Sequence, residues 1–404
     1  MSNPITGYWS LNSSLAGVPG VFTGVAPIRH DGGLRLEQST TNLIANPVAW
    51  VSTAGWASGA NRTLTRTTSL PAPLPDGLDG ITTGLVVTAT ADLSGALNAV
   101  VRDVTLTAQP HSLSVYLWIP GTWTGGGIRL EFAGFTGASG PVQIDADMLV
   151  RDDYQRIRLE GMTPSVGDLV GQVRLQSASQ WNTGESIICT AWQNEASPYA
   201  TSFCPALDVG GTPLDGYAFT GTAHNSPSTR AASSAAISPT GILDPASGGI
   251  AYRITPTIET GLEEIWGECG VKGAGTDHLR WGRDSTKHPF VEWSSNDAAY
   301  ERLRATETAD AGTAYDLYLG YDGTDVSLCV DAGAANTGSR AAVSDSFGAG
   351  DLTLEASAGG VIYNQFATFN RTLSASEIRT LDRRNSWPRT MFGNPFAYFQ
   401  LRPY

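Results

Sequence analysis

The chain has 404 residues, a formal net charge of −13 and a sequence pI ≈ 4.8, and its lysines and arginines do not cluster. That excludes the basic footprint expected for a nucleic-acid or anionic-lipid partner. The length suits two or three domains, and 46 Gly and 22 Pro among abundant Thr, Ser, Ala and Val suit short strands joined by tight turns rather than long helices.

The N-terminus, Met1 to Trp9, carries neither a basic nor an apolar leader segment, and no apolar run approaches the ~18 residues of a membrane span. Synthesis in a cytoplasm without membrane insertion is expected. Residues 1–40 are punctuated by Gly and Pro and hold too little apolar matter for a core, so they read as an arm that packs on something else.

From Thr41 the pattern changes, and Asn42-Leu43-Ile44-Ala45-Asn46-Pro47 leads into Trp50 and Trp56. Leu113, Val115, Leu117 and Ile119 alternate with Ser112, Ser114, Tyr116 and Trp118. The same period of two recurs at 128–132, 156–159 and 172–176, which predicts half-buried antiparallel strands of a sandwich. Gly121 to Gly127 reads as a hairpin loop between two of them. A second boundary lies near Pro205 to Pro213, where Gly210-Gly211-Thr212-Pro213 reads as linker.

Beyond it, strands are predicted at 250–254, 264–268, 278–281, 290–293, 314–321, 326–330, 352–355 and 360–369. Tyr321-Asp322-Gly323-Thr324-Asp325 is an Asp-Gly hairpin turn. Ser374 and Glu377 have capping-box spacing, and Ile378 and Leu381 supply the apolar face of one short helix. An aromatic tail closes the chain. The prediction is an all-β protein with two β-sandwich (jelly-roll) domains in tandem. Its parts are an arm (1–40), a first sandwich (41–206), a second sandwich (207–385) and a tail (386–404).

Three stretches between Asn42 and Arg230 carry a resemblance. The Asn42–Pro47 segment with Trp50 and Trp56 resembles the opening of carbohydrate-binding jelly rolls in bacteriophage tail proteins. Gln193-Asn194-Glu195 followed by Ala200-Thr201-Ser202-Phe203 resembles the last strand and exit of the same domains, where Tyr is usual in place of Phe203. Tyr217 to Arg230 resembles a joining segment of actinobacterial phage minor tail proteins, with Phe219 where Trp is usual. In the second half, residues 319–331 and 366–378 resemble the central hairpin and closing strand of a concanavalin A-like, laminin-G-type sandwich.

The resemblance implies a structural component of a phage virion tail, baseplate or fibre, made in the host cytoplasm and partnered by other virion proteins. It implies exposure to host cell-surface polysaccharide. A dedicated glycan-binding adhesion protein is the alternative, and a glycan hydrolase is the third reading.

Catalysis is not expected. Period two puts Glu264, Trp266 and Glu268 on one strand face, but residues four apart lie ~13 Å from each other. Glycoside hydrolysis needs carboxyls ~5 Å apart for retention or ~6.5–9.5 Å for inversion. The five histidines form no metal-ligand spacing, and no metal or cofactor is expected beyond a structural Ca²⁺ at Asp208, Asp322 or Asp331.

Sugars stack on aromatic rings while polar neighbours take their hydroxyls. Tyr116 and Trp118, with Arg156 and Arg174, are therefore the candidate glycan residues, provided their strands form one sheet. A solvated face, or one packed on a neighbour, is the competing reading. Tyr8, Trp9 and Phe22 in the arm, and Trp387, Phe392, Phe396 and Phe399 in the tail, are expected as assembly contacts. Repetition around a tail axis suggests a homotrimer. The four cysteines read as small buried hydrophobes, with a Cys189–Cys204 bridge left open.

Overall fold

The structure is a computed structural model. It describes residues 5–10, 22–24, 28–30 and 33–378, except for 76–77, 96, 138–139, 165–169, 238–242, 244–245, 258–260, 271–277, 295–299, 324, 332, 340–351, 358, 370 and 376–377. The regular elements among these residues are all β-strands, and every ladder is antiparallel. Where the short helix was predicted, the Ile378 amide donates to the Ser374 carbonyl at 3.0 Å. Glu377 and Leu381 lie outside the described residues.

The chain forms two compact units, and they do not follow the predicted boundaries. Ser39–Ala231 is one unit, and it is inserted in sequence within the other, which is made of Met1–Gln38 and Ala232–Tyr404. The expected arm is thus part of the second sandwich. The expected linker lies inside the first, since Tyr217–Phe219 pairs with Ser228–Arg230, which pairs with Thr40–Asn42.

In the inserted unit, one sheet runs in the order Tyr154–Met162, His111–Trp118, Ser186–Glu195, Gly84–Ala89, Arg62–Thr67. The other runs Gly140–Asp145, Ile128–Gly137, Val170–Ser177, Leu97–Thr105, Ala57–Ser58. Residues 121–127 therefore cross between sheets and are not a hairpin loop. The core is built from the alternating positions, Leu113, Val115, Leu117 and Ile157 together with Ile128, Leu130, Phe132, Val173 and Leu175. Burying each such side chain contributes ~1.5–3 kcal/mol.

The Asn42–Pro47 and Gln193–Phe203 stretches act as scaffolding. Asn42 is fully buried, and its amide donates to the carbonyls of Trp192 (2.8 Å) and Cys204 (2.7 Å). Its side-chain oxygen accepts the Ile44 and Asn194 amides at 3.1 Å each. Gln193 and Glu195 hold the exit segment over the outer face of their sheet. Gln193 accepts from the Cys204 amide (2.7 Å) and donates to the Ser202 carbonyl (3.1 Å), and Glu195 accepts from the Thr201 amide (2.8 Å). All four cysteines are buried, and Cys189 and Cys204 are not bridged.

In the composite unit, Gly360–Phe369 has Ser247–Pro256 on one side. On its other side lie two strands of the former arm, Ile5–Ser10 and Gly33–Glu37. The backbone of Tyr8 pairs with Ala367 and that of Trp9 with Phe366. The facing sheet runs Phe22–Gly24, Ser233–Ile237, Leu352–Leu354, Glu264–Cys269, His278–Arg283, Pro289–Ser294, Glu301–Arg304. The core between these sheets contains Tyr252, Trp266, Trp281, Trp293, Leu317, Leu319 and Phe366. The Asp-Gly hairpin forms as expected between Tyr315–Asp322 and Asp325–Val330, with Gly323 at φ 54°.

Candidate functional site

The aromatic platform expected around Tyr116 does not exist. Tyr116 is fully buried under the exit segment, and the Arg156 guanidinium carbon sits 5.5 Å from its ring centroid. Arg156 donates to Ser114 Oγ (2.9 Å) and to the Thr201 carbonyl (2.5 Å), so it closes this face. Trp118 is half-buried, its ring 5.2 Å from that of Tyr154. Arg174 belongs to the other sheet of the inserted unit. Alternation identifies the outward side of each strand, but it cannot tell which sheet a strand joins.

That other sheet carries an outward face the sequence only hinted at. Glu131 pairs in register with Gln143 on one side and Arg174 on the other, and Arg129 with Asp145 and Gln176. Arg129 donates to Asp145 (2.6 Å) and Gln143 (3.0 Å). Arg174 donates to Glu131 (2.6 Å) and Gln172 (2.6 Å), and Gln172 donates to Asp103 (2.7 Å). A ladder of planar polar groups thus spans four strands. Residues 39–231 contain no lysine, so every cation able to serve this face is a guanidinium with fixed donor geometry.

In the composite unit a β-bulge between Ile265 and Gly267 overturns the expected face shared by Glu264, Trp266 and Glu268. Glu264 stays on the core side with Trp266, 2% exposed and paired with the equally buried Arg283. Glu268 faces outward opposite Arg280. The two carboxylates therefore lie on opposite faces of the sheet and do not converge on a common ligand.

Among the described residues no three His, Cys, Asp or Glu side chains converge to hold a metal ion. Asp208 instead accepts the amides of Gly210 and Thr212, both at 2.8 Å, and Asp331 accepts the Asp316 amide at 2.8 Å. Asp322 is exposed at the hairpin turn. Of the expected assembly residues, Tyr8, Trp9 and Phe22 have their backbone in ladders of this same chain. Trp387, Phe392, Phe396 and Phe399 lie outside the described residues.

Burial shifts the titration of side chains in the two units in opposite senses. In the inserted unit, burial holds the imidazoles of His111 and His224 below their usual value of 6.5. Below that pH the unfolded chain takes up more protons, so stability falls on acidification. In the composite unit, burial and then the neighbouring Glu268 charge push the Glu355 carboxyl up to about 7 from 4.5. There the folded state binds the extra proton, and stability falls as pH rises through that window. Scanning calorimetry from pH 7 to pH 5 should move the inserted unit's transition down and the composite unit's up. The Glu355→Gln variant should lose the upward shift, and parallel movement of both transitions would contradict the assignment.

No protein-family model and no curated protein sequence matches this chain. Among solved structures it is similar to the binding domain of Paraclostridial Mosquitocidal Protein 1. The two share 11% identity at a TM-score of 0.32, over 42% of this chain and 43% of that one. TmCBM61 in complex with β-1,4-galactotriose is similar over 38% of this chain and 97% of its own, at 11% identity and TM-score 0.29. The Ruminococcus gnavus IT-sialidase CBM40 bound to α2,3-sialyllactose is similar over 34% and 83%, at 15% identity and TM-score 0.29. At this level the similarity is one of parts, and function has to be read from the chain's own residues.

Proposed function

We propose that this chain is a non-catalytic, glycan-binding adhesion component of a phage tail, which contacts host polysaccharide through the inserted unit. The observation that carries the glycan reading is the ladder of Arg129, Glu131, Gln143, Asp145, Gln172 and Arg174. Sugar hydroxyls each donate and accept, and side chains already held in place lose little entropy on meeting them. An ordinary solvated face needs no such fixed pairing. The separation of Glu264 from Glu268 supports the non-catalytic part. The tail setting, the other virion proteins as partners and a homotrimeric state rest on the sequence resemblance.

The test is titration of the full chain with host envelope polysaccharide. Replacing Arg129 and Arg174 together by alanine should weaken binding by about tenfold or more, the equivalent of ~1.4 kcal/mol. Undiminished affinity of that variant would move the site elsewhere. A wild-type chain that binds no host glycan would leave only the structural role.

A further inference from the structure

The outward face of the composite unit's second sheet holds a separate cluster. It lies opposite the core side chains Trp266, Leu279, Trp281, Val291 and Trp293. Two aromatic rings there are capped by arginines. The Arg280 guanidinium carbon is 4.2 Å from the Tyr300 ring centroid, and that of Arg302 is 4.0 Å from the Phe290 centroid. Glu292 lies between the two caps, accepting from Arg302 Nε at 2.5 Å and from Arg280 Nε. His278 Nδ1 is 2.6 Å from the Tyr300 hydroxyl, and its Nε2 is 3.1 Å from Glu268 Oε2. Neighbouring strands and Tyr300 are thereby tied into one layer.

The layer has hydrogen-bonding capacity left over. Among the described residues, only Nε of Arg280 makes a hydrogen bond. Its Nη2 stands 3.9 Å from Glu263, an ion-pair distance too long for a hydrogen bond. Glu268 uses only Oε2, and its side chain is 36% exposed. The half-buried Glu355 carboxyl, which lies close enough to Glu268, Arg280 and His278 to feel their charges, has no hydrogen-bond partner among the described residues. Arg280 and Glu268 are partly open to solvent and each has only one side-chain atom engaged in hydrogen bonding, and with the Glu355 carboxyl they leave donors and acceptors of both kinds in one place for a ligand to meet.

Charge decides the class of ligand. Among the described residues, Glu263, Glu268, Glu292 and Glu355 gather around Arg280, Arg302 and His278, with His278 on Glu268 and Glu292 already engaging both arginines. A carboxylate-bearing sugar would have to displace Glu292 and would meet the remaining acids. Neutral hydroxyls face no such penalty, because adjacent ones can donate to Glu268 and accept from Arg280. We propose that this face is a second saccharide site, specific for neutral, hydroxyl-rich sugars and independent of the ladder in the inserted unit.

The test is calorimetric titration of the full chain with neutral galacto- and gluco-oligosaccharides, with sialyllactose as the anionic comparison. The Arg129→Ala/Arg174→Ala variant should keep one class of neutral-sugar site. In that background Arg280→Lys, which keeps the charge but loses the planar donors, or Glu268→Ala should weaken it about tenfold. Sialyllactose should bind this site less well than the neutral sugars. Unchanged affinity in both added variants would overturn the proposal, as would complete loss of neutral-sugar binding in the ladder variant alone. The opposite pattern, with binding lost through Glu268→Ala and untouched by the ladder variant, would support this site and refute the first. Should Arg280→Lys unfold, as judged by its thermal transition, the exposed Glu268 carries the test alone.

Discussion

Deletion of residues 1–38 is expected to abolish folding of the composite unit while leaving the inserted unit folded. The deletion removes Ile5–Ser10 and Gly33–Glu37 from one side of Gly360–Phe369, and Phe22–Gly24 from the end of the facing sheet. It removes the fully buried Leu36 from the core, at ~1.5–3 kcal/mol for that side chain alone. It also leaves a ten-residue strand with one open side, a template for aggregation. Against a domain stability of ~5–15 kcal/mol, losses on this scale are not survivable. Calorimetry of the deleted chain should show one transition, that of Ser39–Ala231, and calorimetry of the full chain should show two. Survival of both transitions would mean that the N-terminal strands are dispensable, and would return residues 1–38 to the role of a free assembly arm.

The same segment shows where sequence reading stops. Ile5–Ser10 is six residues long and Phe22–Gly24 three, too short for a periodic signal, and the partner of Tyr8 is Ala367. Nothing local reports a pairing across that much chain. Longer strands were legible because one face of each meets the core. Leu113, Val115 and Leu117 lie inside as their alternation requires. What alternation could not supply was the assignment of strands to sheets, and this undid the platform. Tyr116 and Arg174 share an outward-pointing phase but belong to different sheets. The outward phase of Tyr116 is moreover not solvent, because residues around Thr201 cross over it. The motif Gln193-Asn194-Glu195 did carry that information. Gln193 and Glu195 are themselves buried, and they hold the crossing backbone. The ladder around Arg129 and Arg174 was visible as alternating polar residues, but its registers emerge only once the strands are paired.

Replacing Arg283 by methionine should destabilise the composite unit by ~3–5 kcal/mol, the usual cost of leaving one member of a buried ion pair without its partner. The bulge at Ile265 and Gly267 creates this dependence by keeping Glu264 on the core side. Glu264 and Arg283 have side chains only 2% exposed and meet through two bonds, Nη2 to Oε1 at 2.9 Å and Nε to Oε2 at 3.0 Å. Arg283 Nη1 also donates to the Ala309 carbonyl at 2.6 Å, so its loss orphans that acceptor as well. The double variant Glu264→Leu/Arg283→Met removes both charges and should recover most of the loss, because an apolar pair of similar volume has no desolvation to repay. Denaturant unfolding followed at the composite unit's transition distinguishes the cases. A single Arg283→Met variant within ~1 kcal/mol of wild type would place the pair in water, whereas a double variant as unstable as the single one would show that the Ala309 contact, not the carboxylate, is what Arg283 secures.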